Sequence, residues 1–128
     1  ALALRKQVFV EGQGVPFDVE RDKADDTAIH AVGFVNGSMA GTGRLVFHSV
    51  SEAQIGRMAV TEPFRRQGLG GLILACLERQ VVIKGVKRVF LHAQIHAQEF
   101  YERHGYTSQG AEFTEAGITH IAMFKHLE

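Results

Sequence analysis

The amino-acid sequence predicts a single α+β domain built on a mixed β-sheet. Its 128 residues are a typical length for one domain, and 45% of them are apolar, which is enough for a hydrophobic core. Residues on both sides of Asn36-Gly37 follow a two-residue period, which is typical of a β-hairpin. An apolar stripe of helical period follows over 69–81 and ends before a further strand. We therefore place residues 1–128 in one domain of strands and helices.

A short helix and then a loop are predicted for the start of the chain. Over residues 1–10, apolar side chains surround Arg5 and Lys6 at a spacing consistent with a helix. The segment 11–16 holds two glycines and a proline, so it is predicted to be a loop. A solvated loop is also the simplest interpretation of the acidic residues that follow, which are Asp18, Glu20, Asp22, Asp25 and Asp26.

Three antiparallel strands and a long helix form the middle of the predicted domain. The first strand runs from Ala28 to the Asn36-Gly37 turn, and Met39 to Phe47 is the return strand. The later elements are predicted in the following order: a strand over 54–60, a helix from Leu69 that ends near Gly85, a strand over 86–93, a helix over 97–104 that ends at Gly105, and strands over 106–113 and 117–126 joined by a turn at Ala116-Gly117.

Glycine is more frequent than usual, and three glycines mark a candidate binding site. The chain has 14 glycines, or about 11% of its residues, against a usual share of about 7%. Gly68, Gly70 and Gly71 fall in the first turn of the long helix, after Arg65 and Arg66. A helix N-terminus offers unpaired N–H groups and a partial positive charge, and glycines let an anion come close to them. This segment is therefore a candidate cradle for a phosphate or a pyrophosphate.

The spacing of these glycines excludes two common phosphate-binding motifs. A Walker A loop needs Gly-x4-Gly-Lys-Ser/Thr, and a dinucleotide fingerprint needs Gly-x-Gly-x-x-Gly inside a parallel unit; both are absent. The motif that is present is Arg65-x-x-Gly68-x-Gly70, directly after an apolar strand. A second segment further along the chain reads Gln94-x-x-Ala97-x-x-Phe100-Tyr101-x-x-x-Gly105-Tyr106.

Together these two segments resemble the GNAT superfamily of acyl-CoA-dependent N-acetyltransferases. The first is similar to the Arg/Gln-x-x-Gly-x-Gly/Ala signature of that family, and the second to its Asn-x-x-Ala-x-x-Phe-Tyr-x-x-x-Gly-Phe segment. The resemblance covers essentially the whole chain and implies a mixed central sheet flanked by helices, with a cofactor core at about 54–106. GNAT domains usually begin with a strand before the first helix, so the resemblance also implies that this first strand is missing.

The resemblance further implies which residues bind the cosubstrate, acetyl-CoA. Backbone groups of Met58 and Val60, on either side of Ala59, would hold the pantetheine arm and the thioester carbonyl. The other cofactor-binding residues that it implies are Arg65, Arg66, Gln67, Gly68, Leu69, Gly70, Gly71, Gln94 and Arg103. For Arg103, a solvated charge on the surface of a short helix is at least as strong an interpretation as a contact with the CoA phosphates.

Tyr101 is the catalytic residue that the resemblance implies, and its hydroxyl would face the thioester sulfur. A phenol with a pKa near 10 protonates a thiolate whose conjugate acid has a pKa near 8.5 at a cost of about 2 kcal/mol. Hydrogen-bond donation to the leaving thiolate is therefore favoured over complete proton transfer. The alternative is a packed aromatic ring beside Phe100.

The acceptor amine needs a proton acceptor, because only about 1 alkyl amine in 2,500 is neutral at pH 7. In the histone-modifying branch of the family a glutamate has this role, and the matching residue here is Gln54, which cannot accept a proton. This difference argues against a histone substrate. The candidates that remain open are Glu11, His30, His92 and Glu52, with Glu11 and His30 assigned to substrate binding. For His30, a structural histidine within a strand is the stronger interpretation.

The start of the chain resembles a subgroup of small GNAT proteins whose substrates are undefined. The matching residues run from Arg5 to Pro16 and continue with Glu20, Asp22, Asp25 and His30; Gly12 stands in place of a glutamate that is usual in the subgroup. A fainter resemblance is to acyl-homoserine-lactone synthases, which share the fold and use an acidic front loop. A cationic amine is favoured if the acidic residues of this region, Glu11, Asp18, Glu20 and Asp22, converge at the acceptor.

Composition argues against several other classes of protein. Equal numbers of basic and acidic residues, 14 of each, argue against a nucleic-acid partner. The only cysteine, Cys76, excludes a disulfide framework and favours a reducing, cytoplasmic compartment. No apolar run approaches the ~20 residues of a membrane span. His92, His96 and His104 lack the spacing of metal ligands, so no metal is expected.

Two functions of different classes follow from these observations. The first is an N-acetyltransferase that moves an acetyl group from acetyl-CoA to the primary amine of a small molecule in a ternary complex. The second is a non-catalytic module that binds acyl-CoA. Tyr101 favours the enzyme, whereas Gln54 keeps the alternative open. A homodimer in which the last strands pair is compatible with the sequence but is not required by it.

Overall fold

An eight-stranded sheet carries two helices in the computed structural model, which describes residues 3–9, 16–22, 25–35, 38–61 and 68–127. Before Ala28 only the course of the backbone is described. The elements are β1 Ala3–Phe9, β2 Pro16–Asp22, β3 Asp25–Val35, β4 Ser38–Phe47, β5 Glu52–Val60, α1 Leu69–Ile83, β6 Arg88–Gln94, a 3₁₀ turn Ile95–Ala97, α2 Gln98–Arg103, β7 Thr107–Glu115 and β8 Ile118–His126. The strands lie in the order β1-β2-β3-β4-β5-β6-β8-β7.

The prediction of a helix over residues 1–10 is wrong. Ala3–Phe9 is strand β1, which pairs antiparallel with β2 at one edge of the sheet. Seven residues are too few to distinguish a period of 2 from one of 3.6, and strand pairing supplies the backbone hydrogen bonds. The expectation of a missing first strand rested on that helix, so strand β1 removes its basis.

The interpretation of the acidic stretch as a loop is also wrong. Strand β2 begins at Pro16, and Phe17 and Val19 alternate in it with acidic residues, which is the two-residue period of a strand. The five acidic residues are divided between two strands: Asp18, Glu20 and Asp22 belong to β2, and Asp25 and Asp26 belong to β3.

The predicted hairpins are confirmed by strand pairing. β3 and β4 pair antiparallel up to Val35 and Ser38, and the turn residues between them lie outside the described residues. β4 then pairs antiparallel with β5. At the other end of the chain, β7 and β8 pair antiparallel around Ala116 and Gly117, whose φ values are 52° and 77°.

Helix α1 covers one face of the sheet and connects its two parallel strands. It joins β5 to β6, which pair in parallel, whereas the other pairs among the described strands are antiparallel. Ile73 and Leu77 of α1 are fully buried in the core. A Cβ atom on Gly43 of β4 would come within 2.8 Å of both side chains, so the absence of a side chain lets α1 lie close to the sheet. Neither described helix is long and apolar enough to cross a membrane.

A half-buried polar network connects α1 with the sheet and with the end of α2. Glu78 of α1 accepts hydrogen bonds from the hydroxyl of Tyr106 at 2.8 Å and from Nζ of Lys125 at 3.0 Å. Lys125 also donates to the carbonyl oxygen of His104 at 2.9 Å, directly after α2. The network therefore helps to fix the position of α2, which carries Tyr101.

The buried hydroxyl of Tyr106 predicts a loss of stability at alkaline pH. Burial, and then the negative charge of Glu78, raise the pKa of Tyr106 far above its ordinary value of 10.0. Above pH 10 the unfolded chain releases this proton and the folded chain keeps it, so the free energy of unfolding falls by about 1.4 kcal/mol per pH unit. Denaturant unfolding between pH 8 and 11 should show this additional slope in the wild type and not in Tyr106→Phe. Equal slopes in the two proteins would contradict the buried, protonated phenol.

Candidate active site

A cleft opens where the two parallel strands separate. β5 and β6 pair only over Glu52–Ile55 and Arg88–Leu91, although the strands continue to Val60 and Gln94. Between these two ends lies a cleft with a volume of about 890 Å³. A gap in a sheet leaves edges to which an extended ligand can bind as a strand would.

A β-bulge in β5 explains why the two strands separate. The register between β4 and β5 shifts between Thr42 and Arg44, and Arg57 has a φ of 51°, in the left-handed region that residues other than glycine seldom adopt. A bulge bends the strand that contains it, and bulges are common beside active sites. The bend directs the following residues, 58–60, along the cleft.

The structure brings five of the predicted site residues to this cleft and places others at the start of α1. The cleft is lined by Met58, Ala59, Val60, Gln94 and Tyr101. The N-cap and first turn of α1 consist of Gly68, Leu69, Gly70 and Gly71. Arg65, Arg66 and Gln67 lie outside the described residues. Arg103 is exposed on α2, with Glu99 at 4.0 Å, and does not line the cleft, which agrees with its interpretation as a solvated charge.

Of the predicted proton acceptors in the described residues, only His92 lines the cleft. Glu52 pairs with Arg88 at 3.2 Å and lies outside the lining. His30 is half-buried in β3, opposite Arg44, which does line the cleft. Glu11 lies outside the described residues.

Two of the glycines at the start of α1 also allow α1 and α2 to pack closely together. A Cβ atom on Gly70 would lie 3.1 Å from the ring of Phe100, and one on Gly71 would lie 2.7 Å from Nε2 of His104. Phe100 belongs to α2 and His104 follows it directly. These glycines therefore let α2 approach the first turn of α1, a role that the sequence motif alone does not indicate.

Tyr101 is held in the cleft by aromatic neighbours. Its ring packs edge-to-face against Phe100 at 5.0 Å and against Tyr106 at 5.9 Å, measured between ring centroids. Burial raises the pKa of Tyr101 above its ordinary value of 10.0. The phenol is therefore protonated at neutral pH and is a hydrogen-bond donor.

A row of rings extends from the cleft across the sheet face opposite α1. Ring centroids are 5.9 Å apart for Phe90 and His92, 5.0 Å for His92 and Phe113, and 6.0 Å for Phe113 and His120. Nδ1 of His92 lies 2.8 Å from a carboxylate oxygen of Glu115. Glu115 and His120 are not identifiable from the sequence, because their approach depends on the register of β6, β8 and β7.

The described residues contain no cluster of three or more His, Cys, Asp or Glu side chains that could hold a metal ion.

Comparison with known proteins identifies the family. The family model described as "Acetyltransferase (GNAT) domain" matches residues 8–127, nearly the whole chain. The chain belongs to the GNAT acetyltransferase family. The resemblance inferred from the two sequence segments is therefore confirmed, and the protein is an acyl-CoA-dependent acetyltransferase that transfers an acetyl group to an acceptor substrate.

Individual GNAT relatives agree with this assignment. The uncharacterised N-acetyltransferase YjcF of Bacillus subtilis is 33% identical, over 98% of this chain and 89% of its own. A crystal structure of an acyl-CoA N-acyltransferase from Pseudomonas aeruginosa has a TM-score of 0.66 and 28% identity, over 77% of this chain and 68% of that one.

A GNAT structure with bound cosubstrate shares the fold. The GNAT family acetyltransferase of Elizabethkingia anophelis, solved with acetyl-CoA bound, has a TM-score of 0.68 at 19% identity and covers 79% of this chain and 77% of that one. The predicted α+β fold with a mixed sheet is thereby confirmed.

Proposed function

We propose that this GNAT protein transfers the acetyl group of acetyl-CoA to the primary amine of a small molecule by direct attack in a ternary complex. The observation that carries the proposal is the cleft between β5 and β6, with residues 58–60 on one side and Tyr101 on the other. A thioester held between these two sides has its carbonyl near β5 and its sulfur near a phenol. The open remainder of the cleft leaves room for an acceptor.

The start of α1 suits the pyrophosphate of CoA. Gly68 is the N-cap, and among the described residues no heavy atom lies within 4 Å of a Cβ atom built on it. The first turn of α1 carries the N–H groups of Leu69, Gly70 and Gly71, ahead of the helical bond from the N–H of Leu72 to the carbonyl oxygen of Gly68. No acidic residue lies in this first turn. The positive end of a helix, with backbone N–H groups and no acidic side chain, favours an anion.

The reaction needs a neutral amine and a stabilised leaving group. The amine nitrogen attacks the thioester carbon, an N–C bond forms, and the C–S bond breaks to release the CoA thiolate. The nitrogen loses one proton as it becomes an amide, and the thiolate finally takes up one proton. Tyr101 donates a hydrogen bond to the sulfur as negative charge develops there, and its raised pKa keeps this proton on the phenol.

The acceptor side of the cleft is polar. Its lining includes Arg44, Gln54 and His92, and His30 occupies the register position beside Arg44 on β3. We retain His30 and Glu11 as substrate-binding candidates, and the acidic residues of β2 as candidates for contact with a cationic amine. A cleft volume of about 890 Å³ is in the range that accommodates small molecules.

Two measurements on the same protein test this function. CoA should raise the melting temperature, and acetyl-CoA with a suitable amine should release free thiol to a thiol-reactive dye. The protein's own thiol does not interfere near pH 8, because burial raises the pKa of Cys76 to about 11. Stabilisation by CoA without thiol release from any amine in a broad panel would overturn catalysis. Release only with lysine-containing peptides would overturn the small-molecule acceptor.

A further inference from the structure

We propose that His92, positioned by Glu115, is the general base that removes the proton from the attacking amine. This inference rests on the proposed function, since it names the proton acceptor of the same reaction. His92 follows Leu91, the last residue of β6 that pairs with β5, so it stands where the cleft opens. Glu115 lines the same cleft from β7.

The contact with Glu115 determines which nitrogen of His92 is basic. Nδ1 of the imidazole lies 2.8 Å from the carboxylate of Glu115, and a carboxylate only accepts hydrogen bonds. Nδ1 therefore carries the proton, and the lone pair of the neutral ring lies on Nε2. When Nε2 accepts a second proton, the carboxylate stabilises the imidazolium that forms.

The surroundings of His92 fix the ring and leave it accessible. The ring packs edge-to-face against Phe113 at 5.0 Å and tilted against Phe90 at 5.9 Å. The side chain of His92 is 34% exposed and that of Glu115 is 50% exposed. A base must return its proton to water after each turnover, and this exposure provides the route.

Other titratable side chains at the cleft are less suited to this role. The ring of His120 is also hydrogen-bonded at Nδ1, but to the carbonyl oxygen of Ile118, and the residue is only 8% exposed. His96 lines the cleft from the 3₁₀ turn, and no carboxylate contact orients it among the described residues. Arg44 and Arg57 line the cleft as well, but a guanidinium stays protonated and cannot act as a base.

The proton balance of the step is simple. As the amine nitrogen bonds to the thioester carbon it becomes positively charged, and one N–H proton moves to Nε2 of His92. After the C–S bond breaks, this proton passes from the imidazolium to water, and the released thiolate is protonated from solvent. His92 returns to its neutral form with Nδ1–H still donated to Glu115.

Kinetics of two variants and a control test the assignment. We expect His92→Gln to lower kcat/KM about 100-fold, since general bases contribute about 10²–10⁴-fold, with the Kd of CoA unchanged. Glu115→Gln should lower kcat while keeping part of the activity and leaving the KM of acetyl-CoA unchanged, because the imidazole stays in the cleft but loses the acceptor that orients it. His126→Gln, which changes an exposed histidine outside the cleft lining, should keep wild-type kinetics. A wild-type kcat/KM in His92→Gln, or a loss of equal size in His126→Gln, would overturn the proposal.

An NMR measurement separates this inference from the proposed function. The ring nitrogen signals of neutral His92, in the protein without substrate, should report a proton on Nδ1 in the wild type and in His126→Gln, and a redistribution of that proton toward Nε2 in Glu115→Gln. An unchanged proton position in Glu115→Gln contradicts the pairing whether or not an acceptor has been found. Absence of thiol release by the wild type, in contrast, overturns the proposed function and with it the role of His92 as base.

Discussion

Replacing Gly68 by valine is expected to weaken CoA binding about 1000-fold. The proposed function places the pyrophosphate against the N–H groups that follow Gly68 in the first turn of α1. Charge-assisted hydrogen bonds contribute about 1.5–3 kcal/mol each, and losing about 4 kcal/mol in total corresponds to that factor. A valine side chain would occupy space in which no heavy atom of the described residues lies within 4 Å of the Cβ atom, and a β-branched residue is strained at the φ of 79° that Gly68 adopts.

Gly85 offers a matched control at the opposite end of α1. Its φ is 76°, and no heavy atom of the described ranges lies within 4 Å of a Cβ atom built on it. The left-handed conformation costs an L-residue about 1–2 kcal/mol, so Gly68→Val and Gly85→Val should lose similar stability in denaturant unfolding. Only Gly68→Val should lose CoA affinity, measured by calorimetry below the melting temperature of both variants. Equal affinities in the two variants would rule out a pyrophosphate site at this end of the helix.

Gly70 and Gly71 are less informative targets, although they belong to the same motif. A side chain on Gly70 would press on Phe100, and one on Gly71 would press on His104. Either change displaces α2 and Tyr101 together with the helix start. A loss of binding in these variants would therefore have two explanations, whereas a side chain on Gly68 would press on no residue in the part of the chain that the structure describes.

The residues proposed for the cosubstrate could be named from the sequence because they are close together in the chain. Gly68 and Gly70 stand at the start of α1, the next described element after the strand that carries Met58, so only a short stretch of chain separates them. Gln94 and Tyr101 are likewise separated by a single turn. Spacing along the sequence is then nearly equivalent to spacing in the fold.

The acceptor side could not be predicted, because it depends on strand register. His92 and Glu115 meet only because β8 lies between β6 and β7 with a particular alignment, including a register shift between Gln109 and Phe113. Moving one strand by one residue would turn Glu115 to the opposite face of the sheet. The sequence identified His92 as one of four candidate bases, and the carboxylate beside it is what distinguishes it from the others.

Replacing Tyr101 by phenylalanine is expected to lower kcat about 100- to 1000-fold, the usual cost of removing one preorganised donor to a developing negative charge. The ring contacts with Phe100 and Tyr106 involve only the aromatic face and edge, so the variant loses the hydroxyl and little else. Because burial raises the pKa of Tyr101, the wild-type phenol keeps its proton across the working pH range. The Kd of acetyl-CoA should change little, since the donor acts on the developing thiolate and not on the bound thioester.

Tyr106→Phe is the matched control for the loss of a buried tyrosine hydroxyl. Its hydroxyl donates to Glu78 and does not line the cleft, so this variant should lose about 1.5–3 kcal/mol of stability and keep its kcat.

A comparison of two thioesters distinguishes an effect of Tyr101 on the leaving group from an effect on packing. An acetyl thioester of a more acidic thiol needs less help from a donor, so Tyr101→Phe should lose less activity with it than with acetyl-CoA. An equal loss with both thioesters would place the effect of Tyr101 in packing, because a structural defect does not depend on the leaving group.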